Sequence, residues 1–228
     1  MKDKDMTNFN DENLSFDKNS VPDAVVKRLP RYFRYLRIIM REGKTRISSA
    51  ELSRRMNITA SQIRQDLNCF GGFGQQGYGY NVSYLYARIC ELLGVGAGFQ
   101  AIIIGGGNLG RALANNEMFE KRGVDVVAIF DKSPELIGKK VNEIPILNID
   151  DLERYVATHT VDMAVLTLPK EYALEMAQRI AETDISGIWN FTAQELDGVD
   201  GDLVIENVHL GDSLMTLNYR IANKDKNV

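Results

Sequence analysis

Cysteine and histidine are scarce in this chain of 228 residues, with two of each: Cys69 and Cys90, His159 and His209. The cysteines form no metal-ligand spacing, so no zinc site is expected, and a chain without secretory signals fits a reducing, cytoplasmic setting. Two histidines are thin material for acid–base catalysis. No apolar run has the length that crosses a bilayer. The first 20 residues are polar and rich in Asp, Asn and Lys, and they lack the apolar core of a signal peptide. They read as a disordered tail. Neither a membrane nor a metal is expected as a partner.

What is present is divided by charge. Residues 21–80 carry 11 Lys or Arg against four acids, whereas residues 81–228 carry 13 against 22. A basic module thus precedes an acidic one, which suggests that the first binds a polyanion and the second does not.

The stretch from Ala101 to Asp131 has the clearest local order. Ala101-Ile102-Ile103-Ile104 reads as a buried parallel strand, Gly105-Gly106-Gly107-Asn108-Leu109-Gly110 as the turn after it, Arg111 to Lys121 as a helix and Val124 to Phe130 as a second strand. This is a βαβ unit with G-x-G-x-x-G at its first turn and an acid, Asp131, 21 residues after the last glycine. Gly105 allows the tight turn, Gly107 a close approach to a pyrophosphate, and Gly110 the packing of helix on strand, with free N–H groups aimed at phosphate. Asp131 would accept from a ribose 2′-hydroxyl and repel a 2′-phosphate, favouring NAD(H) over NADP(H). Its neighbour Lys132 belongs to the same expected site. Further strands, Val161 to Leu168 and Ser186 to Phe191, continue a doubly wound parallel sheet of the Rossmann type. Leu168, Pro169, Asn190 and Phe191 stand at strand ends, where the far half of a dinucleotide would lie.

Upstream, a helix is expected from Val21 to about Glu42, kinked or restarted at Pro30. Two capping boxes follow, Ser48-Ser49-Ala50-Glu51 and Thr59-Ala60-Ser61-Gln62, each opening a short helix, Ser49 to Met56 and Ala60 to about Asn68. That spacing is a helix-turn-helix, whose second helix enters the major groove. Ile63 and Leu67 would face the core, leaving Ser61, Gln62, Arg64 and Gln65 exposed; Arg can read guanine and Gln adenine. The glycine-rich, aromatic stretch from Phe70 to Tyr80 suits a hairpin wing. Arg28, Arg31, Arg46, Ser48, Gln76 and Tyr78 complete the expected DNA-contacting set. The domains expected are a tail (1–20), a winged helix (21–82), a linking helix and glycine-rich boundary (83–98), a Rossmann domain (99–210) and a terminal helix (211–228). That last helix carries Leu214, Leu217 and Ile221, preceded by Leu210, as an apolar stripe needing cover.

From just after the tail to near its C-terminus, the chain resembles the Rex family of redox-sensing transcriptional repressors. The match rests on Lys27-Arg28-Leu29-Pro30-Arg31-Tyr32, Ile47-Ser48-Ser49-Ala50-Glu51-Leu52, Gln62-Ile63-Arg64, the Phe70 to Asn81 stretch, Gly107-Asn108-Leu109-Gly110-Arg111-Ala112-Leu113 and Gly187-Ile188-Trp189-Asn190-Phe191. The resemblance implies a homodimer that grips a palindromic operator, binds NADH or NAD+, and lets go of DNA when NADH binds. It also implies that the last helix is swapped into the partner subunit and that Phe191 lies in the nicotinamide region. Members of the family often have Lys where Gln65 stands and a basic pair where Gln75-Gln76 stands, so the operator and its salt dependence are expected to differ. Some members place Tyr and Asp where Asn116 and Asn190 stand, and a switch relying on that pair would need other contacts. The rival readings are an NAD-dependent oxidoreductase and a DNA-binding regulator sensing another nucleotide or a CoA ester. The first would need a proton donor and a substrate domain that the sequence does not show.

Overall fold

The computed structural model describes residues 21–69, 71, 74–75, 78–199 and 201–224, which form two compact units parting between Val95 and Gly96. The expected tail and Gln76 lie outside the described residues.

In the first unit, the expected long helix is two. α1 (Asp23–Val26) stops, and α2 (Leu29–Arg41) restarts with Pro30 in its first turn, where a missing N–H costs nothing. α2 buries Leu29, Tyr32, Phe33, Leu36 and Ile39. After β1 (Arg46–Ile47) come α3 (Ser49–Met56) and α4 (Ala60–Asn68), joined through Asn57 in the left-handed region, φ 50°. β2 (Gly74–Gln75) and β3 (Gly79–Asn81) add to β1 as an antiparallel sheet in the order β1-β3-β2. Helix-turn-helix and hairpin wing are therefore both present. Gly79 is required in that hairpin: its φ is +69°, and a Cβ would meet the Ile47 carbonyl oxygen at 2.6 Å. α5 (Val82–Leu92), expected as a linker beyond residue 82, instead contributes Val82, Leu85 and Ile89 to the core of this unit, with Tyr86 stacked on Phe33 at 5.3 Å. Its apolar spacing was a packing face for α2.

The second unit runs β4 (Phe99–Ile104), α6 (Asn108–Ala114), β5 (Val124–Asp131), β6 (Lys140–Val141), β7 (Ile144–Asn148), α7 (Leu152–Val156), β8 (Met163–Leu166), α8 (Ala173–Ala181), β9 (Gly187–Asn190), β10 (Val204–Asn207) and α9 (Leu210–Ala222). Its sheet has the order β10-β9-β8-β4-β5-β7-β6, parallel throughout except for the β6–β7 hairpin. From β4 the chain winds first towards β7 and then, through β8, towards β10, so the order reverses between β4 and β8. A ligand crevice belongs at the carboxyl ends there. One face buries Leu152, Val156, Ala173, Ala177 and Ile180 from α7 and α8. On the other, Leu113 and Phe119 pack over Ile103, Ile129 and Val165, with Trp189 and Phe191 only half-buried beside them.

The helix expected from Arg111 to Lys121 is shorter and earlier. α6 ends at Ala114, and the side chain of Asn116 accepts from the Met118 N–H at 2.9 Å, a local turn that competes with helix. α9 buries none of its residues against its own chain.

Candidate functional site

The glycine turn between β4 and α6 is built by three different constraints. Gly105 has φ +106°, and a Cβ would lie 2.8 Å from the Thr167 carbonyl oxygen. At Gly110 a Cβ would lie 1.9 Å from the carbonyl oxygen of Gly105, so α6 presses directly on the turn. Gly107 differs: its φ of −69° suits any residue, and nothing lies within 4 Å of its Cβ position. Neither backbone nor packing requires a glycine there. The open space in front of it, at a helix start with no side-chain cap, is where a phosphate would come close.

A cavity of about 370 Å³ opens beside this turn. Of the expected residues, Gly105, Gly107, Asp131, Lys132, Leu168 and Pro169 line it. Gly106, Asn108, Leu109, Gly110 and Phe191 do not. Gly106 donates its N–H to one Asp131 carboxylate oxygen at 2.5 Å, and Ser133 donates to the other at 2.8 Å. The carboxylate is thus fixed by backbone and keeps lone pairs for further donors. Asn108 accepts from Arg111 at 3.0 Å, and Leu109 is exposed. Phe191 packs edge-on against Trp189, ring centroids 4.6 Å apart.

Sequence reasoning missed the far wall. Tyr172 and Thr167 also line the cavity. The Lys132 ammonium sits 4.0 Å from the Tyr172 ring centroid, and the Thr167 hydroxyl donates to the Gly105 carbonyl at 2.8 Å. No local motif marks either residue: Thr167 follows β8, the strand next to the glycine turn, and Tyr172 ends the short helical turn that leads from β8 into α8. These residues fit the adenosine and pyrophosphate end of a dinucleotide: an open glycine, an oriented carboxylate and an apolar wall.

In the first unit, α4 presents Ser61, Arg64 and Gln65 to solvent and buries Ile63 and Leu67, as the spacing predicts. Arg64 donates to Ser49 at 3.2 Å, and exposed Arg46 donates to the Tyr78 carbonyl at 3.3 Å beside an exposed Tyr78 ring. Three expected DNA contacts are committed inside the protein. Fully buried Asp66 accepts from both Nε and Nη2 of Arg28 at 2.7 Å, from Tyr32 at 2.9 Å and from Gln62 at 2.8 Å. Arg31 donates to the carbonyl of Met56. Burial pushes the Asp66 carboxyl up, but the hydrogen bonds from Arg28, Gln62 and Tyr32 outweigh it and hold the group below the ordinary carboxylate range.

The capping boxes are half made. Ser48 and Thr59 each accept from the expected N–H at 3.1 Å. The return bonds are not formed, because Glu51 pairs with Lys44 and Arg55 while Gln62 turns to Asp66. Among the described residues, no helix is long and apolar enough to cross a membrane and no cluster is arranged to hold a metal.

Two family models match the two units. Residues 20–68 match one described as a putative DNA-binding protein N-terminus, and residues 99–194 match a CoA binding domain. Proteins named redox-sensing transcriptional repressor Rex are similar over most of the chain. The one from Caldicellulosiruptor saccharolyticus is 50% identical over 92% of this chain and 95% of its own length, and that from Clostridium botulinum is 50% identical over 88% and 95%. Among solved structures, RSP in complex with beta-NAD+ and operator DNA is 47% identical with a TM-score of 0.84, covering 90% of this chain and 94% of that one. RSP in complex with beta-NADH is 44% identical with a TM-score of 0.83, covering 90% and 96%. With both units and the order between them matched at this identity, the chain belongs to the Rex family of redox-sensing transcriptional repressors.

Proposed function

We propose that this chain is a homodimeric repressor that binds operator DNA through its first unit and NADH or NAD+ through its second, and that NADH releases the DNA. One observation carries the reading: a winged helix-turn-helix is joined to a glycine-turn cavity in a chain 47% identical to a protein captured with NAD+ and operator DNA. In this reading Gly105 to Gly110 hold the pyrophosphate and Asp131 the ribose hydroxyls. Lys132, Leu168 and Pro169 line the adenosine end, and Phe191 lies towards the nicotinamide. Arg46, Ser61, Arg64, Gln65 and Tyr78 meet DNA directly, while Arg28 ties the start of α2 to Asp66 on α4, Gln62 supports that carboxylate from within α4, and Arg31 ties α2 to the end of α3.

NAD+ and NADH differ in the charge and pucker of the nicotinamide ring, and a ligand shifts a two-state equilibrium only by its differential affinity. The proposed shift favours a dimer whose recognition helices no longer meet successive major grooves, roughly 34 Å apart or a multiple of that. Dimerisation is supported by α9, whose Leu210, Leu214, Leu217 and Ile221 are left exposed by the described residues of a single chain. A swapped position for α9 in the partner would supply that cover. The repressor names of the relatives favour a regulator over an oxidoreductase.

The test is an operator titration at fixed salt, with NADH, NAD+ and coenzyme A added separately. Release by NADH alone is expected. Release by both nicotinamide forms or by neither would sink the redox reading, and release by coenzyme A alone would favour an acyl-carrier signal, the other nucleotide that the second family model suggests.

A further inference from the structure

The carboxyl edge of the large sheet continues past the cavity to the root of α9. Phe130, Ile104, Leu166, Asn190 and Asn207 are register partners in one row across β5, β4, β8, β9 and β10. One residue further on, a backbone ladder links the same strands. Gly105 donates to Phe130 at 2.8 Å, Thr167 to Ile104 at 2.9 Å, Phe191 to Leu166 at 3.0 Å and Val208 to Asn190 at 2.8 Å. The ladder thus runs from the glycine turn to the residue before His209, which opens α9.

A side-chain chain closes over its far end. Buried Asn190 donates to the Asn207 side chain at 2.8 Å, Asn207 donates to Glu195 at 3.1 Å, and the other Glu195 oxygen meets His209 Nε2 at 2.9 Å. The Thr192 hydroxyl donates to the Asn190 side-chain oxygen at 2.7 Å. Beyond His209 the helix makes no buried contact with its own chain, so this cluster and the Val208 bond are what set its direction.

We propose that Glu195 and His209 are positioning residues that couple the nucleotide-binding edge of the sheet to α9, so that a change at the strand ends reorients the dimer helix. This deepens the sensor reading and rests on it. Neither residue lines the cavity or belongs to the DNA-facing unit, so the coupling can be removed without removing either binding event.

The experiment measures, on the full-length protein, operator affinity with and without saturating NADH, NADH affinity alone, and the melting temperature. It compares wild type with Glu195→Ala, His209→Ala and His209→Gln. Glu195→Ala and His209→Ala are expected to keep each separate affinity within about threefold, while the factor by which NADH weakens operator binding falls at least about tenfold, within the usual range of such couplings. His209→Gln, which keeps a donor to Glu195, is expected to recover most of the response. A response equal to wild type in both alanine variants overturns the inference, as does a parallel loss of both affinities with a lowered melting temperature, which would mark the cluster as merely structural. If wild type itself ignores NADH, the sensor reading falls and this inference with it.

Discussion

A methyl group at Gly110 would have to displace the Gly105 backbone, whereas one at Gly107 would meet nothing. Gly110→Ala is therefore expected to cost about 3 kcal/mol of stability. Gly107→Ala should melt like wild type yet bind NADH at least about tenfold more weakly, because it fills the approach to a helix start that offers its N–H groups to phosphate. Calorimetry and NADH titration of the two variants separate the effects. Asp66 gives a second contrast. Its folded carboxyl is held below the unfolded value of about 4, so its contribution to stability is complete above that value and is lost as pH falls through the lower folded one. Asp66→Asn should cost about 3 kcal/mol near neutral pH, and the gap in urea midpoint from wild type should close in acid. The sequence supplied the residue types here but not their partners. Gln62 and Arg64 look alike as polar residues on α4, and only the structure shows that the first gives its amide N–H to Asp66, which also draws on Arg28 from 38 residues away.

At the scale of elements, the short helices around the turns were legible because their caps are local: α3 and α4 begin after Ser48 and Thr59 as the side chains require. α6 was expected to run on to Lys121, but the asparagine bond beyond its end at Ala114 leaves no trace in periodicity. The stripe of α9 was legible as a surface in need of cover, but what covers it was not, since among the described residues no segment of the same chain buries it. Leu214→Asp combined with Leu217→Asp is expected to yield monomers by analytical ultracentrifugation and to weaken operator binding by about a hundredfold, since two linked half-site contacts become one.

For the whole molecule, charge and fold divide close together: the basic stretch ends by residue 80 and the two units part between Val95 and Gly96, with Arg88 and Glu91 cancelling in between. That division was visible in the count of basic and acidic residues before any element was assigned. The finer boundary was not, because α5 is apolar on the side that α2 covers and reads equally well as a linker. Separate units predict separable losses. Arg64→Ala should weaken operator binding by about 1–3 kcal/mol while leaving NADH affinity intact, and Asp131→Ala should do the reverse, both read by isothermal titration. By linkage, operator DNA must also weaken NADH binding by the factor with which NADH weakens operator binding.

The uncovered face of α9 has a genetic corollary. If chains meet through it, a copy that cannot read DNA still pairs with one that can, and random pairing of equal amounts leaves about a quarter of the dimers with two competent heads. A cell carrying an Arg64→Ala allele beside the normal one would then derepress its target genes, so the mutation would behave as dominant even though the altered chain folds, binds nucleotide and does nothing by itself.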